Sequence, residues 1–108
     1  MMKNIWVIIP DKKLDGVNKA LHKIDISGLT IFDTKGRGKN LPEPNQMGHW
    51  LYLSEFGDSN TLLIISRDAD VEKIVETIKT SAGIGKIIVT NIEELIDIQK
   101  NTKDEDAL

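Results

Sequence analysis

The chain of 108 residues contains no cysteine, and this single absence removes disulfides, thiolate nucleophiles and Cys-based zinc sites together. It fits a reducing compartment, and the expected location is cytoplasmic. No apolar run approaches the roughly 20 residues needed to span a bilayer, and the N-terminus lacks the charged, apolar and small-residue order of a secretory signal, so no membrane insertion is expected. A formal net charge of -3 argues against a nucleic-acid partner, because such proteins neutralise phosphates with a basic stripe. Only Lys35-Gly36-Arg37-Gly38-Lys39 is locally basic. The two histidines, His22 on a charged helix and His49 beside Trp50, have no carboxylate or second His at a regular ligand spacing, so no metal site is assigned. A Gly-x-Ser-x-Gly elbow and a full P-loop are also lacking, and the chain does not read as an enzyme.

What is present is a repeat. Ile5-Trp6-Val7-Ile8 recurs 57 positions later as Leu62-Leu63-Ile64-Ile65, Asp11 as Asp68, the series Leu14, Val17, Leu21 as Val71, Ile74, Ile78, and Gly28 as Gly85. Each Gly is followed by another β-rich run, Leu29-Thr30-Ile31-Phe32 and Lys86-Ile87-Ile88-Val89. Two strand–helix–strand units in tandem predict an α+β, ferredoxin-like βαββαβ domain spanning residues 1–108.

The local signals divide the chain further. Residues 3 to 9 read as a strand closed by Pro10-Asp11, and Leu14, Val17, Leu21 and Ile24 mark one face of a helix that Ser27-Gly28 would stop. A second strand runs from about Leu29 to Lys35. From Gly36 to about Gly48 periodicity vanishes; Pro42 and Pro44 forbid a helix, and a long loop is expected between strands two and three. His49 to Phe56 can form a strand, Gly57-Asp58-Ser59-Asn60 reads as a turn, and 61 to 66 as the next strand. A second helix begins near Asp68 or Asp70 and stops at Gly83, a strand spans 86 to 90, and Ile92 to Gln99 reads as a helical turn plus a short strand. Residues 100–108 form a polar, acidic tail.

Candidate ligand groups are few. Gly36 and Gly38 flanked by Lys35, Arg37 and Lys39 can cradle an anion through backbone N–H groups, or simply end a solvated strand. Gly83, Gly85 and Lys86 offer a second cradle or a tight turn. Thr30 reads as a β-former in a strand.

Ile8-Ile9-Pro10, Lys13-Leu14-Asp15, Ala20-Leu21, Gly28-Leu29-Thr30, Lys35-Gly36-Arg37-Gly38, Val71 to Glu76, Gly85-Lys86-Ile87 and Glu105 to Leu108, taken in order, resemble the PII signalling family over nearly the whole chain. The resemblance implies a homotrimer with ligand clefts between subunits. It also implies a mobile segment at 36–50, corresponding to the family's T-loop, that touches a target transporter or enzyme and answers to ATP, ADP and 2-oxoglutarate. It places Thr30, Gly36, Arg37, Gly38, Lys39, Asn40, Gly85 and Lys86 at the ligand cleft; Leu41 and Met47, the apolar residues of the loop, are candidate target contacts. Departures matter as much. The family Gln that helps hold a bridging metal falls on Asn40, the Lys at the far base of the loop on Ser59, two basic residues of the terminal strand on Asp97 and Gln99, the Glu partner of Lys86 on Leu63, and a modified Tyr on Met47.

Replacing a cation by Asp97 turns attraction into repulsion of about 1 to 4 kcal/mol per close charge pair, and each loss of about 1.4 kcal/mol costs tenfold in affinity. Weak binding of ATP with 2-oxoglutarate is therefore expected. No cofactor is required; a less charged adenine nucleotide (ADP or AMP) or a small anion stays open as ligand. The other readings are a ligand-blind trimeric adaptor and a small ferredoxin-like metal- or phosphate-binding protein.

Overall fold

In a computed structural model, which describes residues 1–26, 28–36 and 57–108, the chain runs β1 (Met2–Pro10), α1 (Leu14–Lys23), β2 (Thr30–Gly36), β3 (Gly57–Arg67), α2 (Val71–Ala82) and β4 (Lys86–Ile92), followed by two short strands, β5 (Ile96–Asp97) and β6 (Thr102–Lys103). The first four strands form one sheet in the order β2-β3-β1-β4, antiparallel throughout. This is the expected βαββαβ arrangement.

The 57-residue repeat survives into three dimensions. Each half ends a strand, makes a single 3-10 turn (Asp11–Lys13 and Asp68–Asp70) and begins its helix at an equivalent residue, Leu14 or Val71. Equivalent side chains build the core: Ile5 and Leu62, Val7 and Ile64, Val17 and Ile74, Leu21 and Ile78 are all buried between the helices and one face of the sheet. Period-2 alternation in the strands and an i, i+4 step in the helices bring these residues to one layer. At about 1.5–3 kcal/mol for each large aliphatic side chain removed from water, this layer dominates the stability of the domain.

Several boundaries differ from the sequence reading. Gly57-Asp58-Ser59-Asn60 is not a turn: these residues open β3 and pair with Gly36, Lys35, Thr34 and Asp33 of β2. Their turn-rich composition yields to the ladder hydrogen bonds that β2 supplies. Helix α1 stops at Lys23, ahead of Ser27-Gly28, where Asp25 takes a left-handed conformation (φ 65). By contrast, α2 ends on Gly83 with φ 70, whose N–H donates to Lys79 O at 3.1 Å. After Ile92 the expected short strand is present as β5, but it pairs with β6 in a hairpin and no helical turn precedes it, and Asp104–Ala107 form a 3-10 turn tied back by Asp104 N–H to Leu95 O (2.7 Å). The strand expected over 49 to 56 and most of the expected loop lie outside the described residues.

Candidate functional site

Among the described residues, helices cover one face of the sheet. The other carries Trp6 and Ile8 from β1, Leu63 and Ile65 from β3, Phe32 from β2 and Ile88 from β4. Phe32 is 43% exposed and Ile88 47%, and the Trp6 and Phe32 rings stack at a centroid separation of 6.3 Å. This apolar face is the feature the sequence reading passed over. Its signal was present in the unbroken runs Ile5-Trp6-Val7-Ile8-Ile9 and Leu62-Leu63-Ile64-Ile65, since a strand apolar at every position is built to be covered on both sides.

The candidate ligand residues sit on the rims of this sheet. Thr30 and Gly36 lie on β2, one edge strand, with Thr30 paired to Leu63 and Gly36 to Gly57. Lys86 begins β4, the opposite edge, and Gly85 immediately precedes it. Three inter-strand spacings separate those edges, about 14 Å in all. One copy of the chain therefore does not bring the two candidate groups together. Arg37, Gly38, Lys39, Asn40, Leu41 and Met47 lie outside the described residues.

The β4 rim has a defined shape. Gly85 has φ 128, and a Cβ there would stand 2.3 Å from Ile8 O and 3.0 Å from Ile9 Cγ2, so the turn presses its backbone onto the end of β1. Only glycine permits that approach. Beside it a shallow cleft of about 220 Å³ opens, floored by Ile9, Ile78 and Ala82 and rimmed by Gly83, Ile84 and Lys86. Lys86 is exposed at its mouth, while Lys79 on the same side is paired with Glu76 at 3.3 Å. The volume is below that of a typical small-molecule pocket, about 300–1,000 Å³.

At the β2 rim the polar groups are engaged with one another. Ser59, where the resemblance places a lysine, joins its hydroxyl to Thr34 Oγ1 at 2.8 Å, and Thr34 Oγ1 also meets Thr61 Oγ1 at 3.1 Å. Gly36 is in extended pairing, and a Cβ on it would meet nothing within 4 Å. Leu63, at the position of the family Glu, is half-buried between Thr30 and Trp6. Asp97, in the terminal hairpin, accepts the Lys100 N–H at 3.1 Å. Among the described residues no cluster of three or more His, Cys, Asp or Glu could hold a metal ion, and no helix is long and apolar enough to cross a membrane.

A sequence model of one family, described as Nitrogen regulatory protein P-II, matches residues 2–102. The chain belongs to the P-II family. Among its relatives, the Nitrogen regulatory protein P-II of Azospirillum brasilense is 34% identical, over 99% of this chain and the whole of that protein. The protein of that name from Pyropia yezoensis is 38% identical, over 99% of this chain and 100% of its own length. Nitrogen regulatory protein P-II 2 of Methanothermobacter thermautotrophicus is 32% identical, covering 91% of this chain and 90% of its own. P-II proteins are signalling proteins rather than enzymes, which agrees with the absence of a nucleophile motif from this P-II sequence.

Proposed function

We propose that this P-II protein is a homotrimeric regulator whose ligand clefts form between subunits, with Thr30 and Gly36 on the β2 edge of one copy facing Gly85 and Lys86 on the β4 edge of the next. The observation that carries the reading is the placement of those groups on opposite edges of one sheet. A contact between unlike edges is heterologous, and when its rotation closes it generates a ring, for which three copies is the family's number. The face opposite the helices, bearing Trp6, Phe32, Leu63 and Ile88, supplies the apolar surface such a ring buries. The 36–50 segment, which leaves the sheet at Gly36, is the element that addresses a partner protein, with Leu41 and Met47 as contacts.

The ligand we assign to the cleft is an adenine nucleotide of low charge, ADP or AMP, or a small anion. Lys86 and the Gly83–Gly85 turn favour an anion, whereas Asp97 and Gln99 disfavour a triphosphate. Calorimetry with ATP, ADP and AMP, each with magnesium and with or without 2-oxoglutarate, tests this. ADP or AMP should bind more tightly than ATP, and 2-oxoglutarate should not strengthen ATP binding. Low-micromolar ATP affinity raised by 2-oxoglutarate would overturn the assignment. A second reading, a ligand-blind adaptor, is favoured by the Ser59 hydroxyl being engaged with Thr34; it predicts no heat with any nucleotide.

A further inference from the structure

The side chain of Asn60 is buried, 4% exposed, and its Nδ2 donates to Asp11 Oδ1 at 2.6 Å. Asn60 lies on the helix-facing side of β3, between Asp33 of β2 and Ile9 of β1. Asp11 opens the 3-10 turn that leads into α1 and is itself exposed. The bond therefore joins the start of the first helix to the rim of the sheet where β2 ends at Gly36 and β3 begins at Gly57.

The bond has more than a local meaning, because the fold does not demand it: the other half of the repeat manages without its counterpart. There Asp68 occupies the position of Asp11 and Lys3 that of Asn60, but the Lys3 ammonium turns to Asn91 and the Asp68 backbone N–H donates to Met1 O at 2.9 Å. Only the half that carries the ends of β2 and β3 has the tie.

We propose that Asp11 and Asn60 form a one-way conformational tie from the turn opening α1 to the sheet rim at Thr34–Gly36 and Gly57–Ser59, so that displacing Asp11 loosens the rim. The physical basis is asymmetric. Moving Asp11 away leaves a buried amide without a partner, which is costly, whereas removing the Asn60 amide leaves an exposed carboxyl that water satisfies. A ligand or partner that draws Asp11 away would be felt at the rim through this one bond.

The test is amide hydrogen exchange on the full-length protein with Asp11→Ala, Asn60→Leu and the double variant. Asp11→Ala should accelerate exchange of residues 12–14 and 58–61 by tenfold or more relative to residues 5–7 in the core. Asn60→Leu should change them much less, and adding it to Asp11→Ala should return both segments toward wild-type rates. If Asp11→Ala loosens the whole domain, the same comparison is read from the double variant against Asn60→Leu alone, which the tie predicts to be alike. Unchanged exchange in Asp11→Ala, acceleration at only one of the two segments, or additive effects in the double variant would overturn the proposal.

Discussion

The two halves of this chain share a core but differ at their rims. Ile5, Val7, Val17 and Leu21 are matched in place by Leu62, Ile64, Ile74 and Ile78, and all eight are buried. The turns that close each half are not matched. Gly85 is pressed against Ile8 O with φ 128, whereas a Cβ at the equivalent Gly28 would meet nothing within 4 Å. Helix α2 ends on a left-handed Gly83, while past the end of α1 the left-handed residue is Asp25. Burial constrains both copies of the unit equally, so they stay alike there. Where each copy meets solvent, loop or neighbour, the geometry has separated, and the candidate site lies in those separated parts.

The largest test of this comparison is the glycine pair. Gly85→Ala forces a methyl group against a backbone oxygen in a conformation hostile to L-residues, and should cost about 3 kcal/mol in urea unfolding, as overpacking and backbone strain each contribute about 1–3 kcal/mol. Gly28→Ala should stay within about 1 kcal/mol of wild type and can stabilise by restricting the unfolded chain. Equal losses at the two sites would mean that their equivalence in sequence extends to their surroundings, contrary to the structure.

A smaller test uses the residues that end the helices. Asp25→Gly relieves a left-handed aspartate and should stabilise by about 1 kcal/mol, while Gly83→Ala should destabilise by a similar amount. Thermal unfolding of both variants checks the pair, and the two shifts should be opposite in sign. Shifts of the same sign would place the C-terminal geometry of α1 or α2 elsewhere.

Much of the fold was legible in the sequence, because the repeat and the apolar periodicity both report burial, and burial decides the core. Leu14, Val17, Leu21 and Val71, Ile74, Ile78 point inward as their spacing requires. The misreadings fall where local composition and tertiary pairing disagree. Gly57-Asp58-Ser59-Asn60 has the residues of a turn, yet Lys35 and Thr34 on β2 supply partners that draw it into the ladder. The β5 and β6 strands are two residues each, too short to show alternation, so the hairpin could not be distinguished from a helical turn.

For the site, the sequence offered Thr30, Gly36, Gly85 and Lys86 as candidates but not their separation across the sheet, which depends on strand order rather than on any local pattern. Nor did it single out Asn60. A lone Asn in a segment read as a turn carries no sign that β3 will bury it against Asp11.

The central claim, that one copy holds two half-sites which only a ring of copies unites, is tested most directly by light scattering coupled to size exclusion at micromolar concentration. The account predicts a single species of three times the chain mass, held together by the Trp6, Phe32, Leu63 and Ile88 face and dissociated when Ile88→Asp places a charge there. A clean monomer for the wild-type chain would contradict it, since Thr30 and Gly36 would then have no means of meeting Gly85 and Lys86.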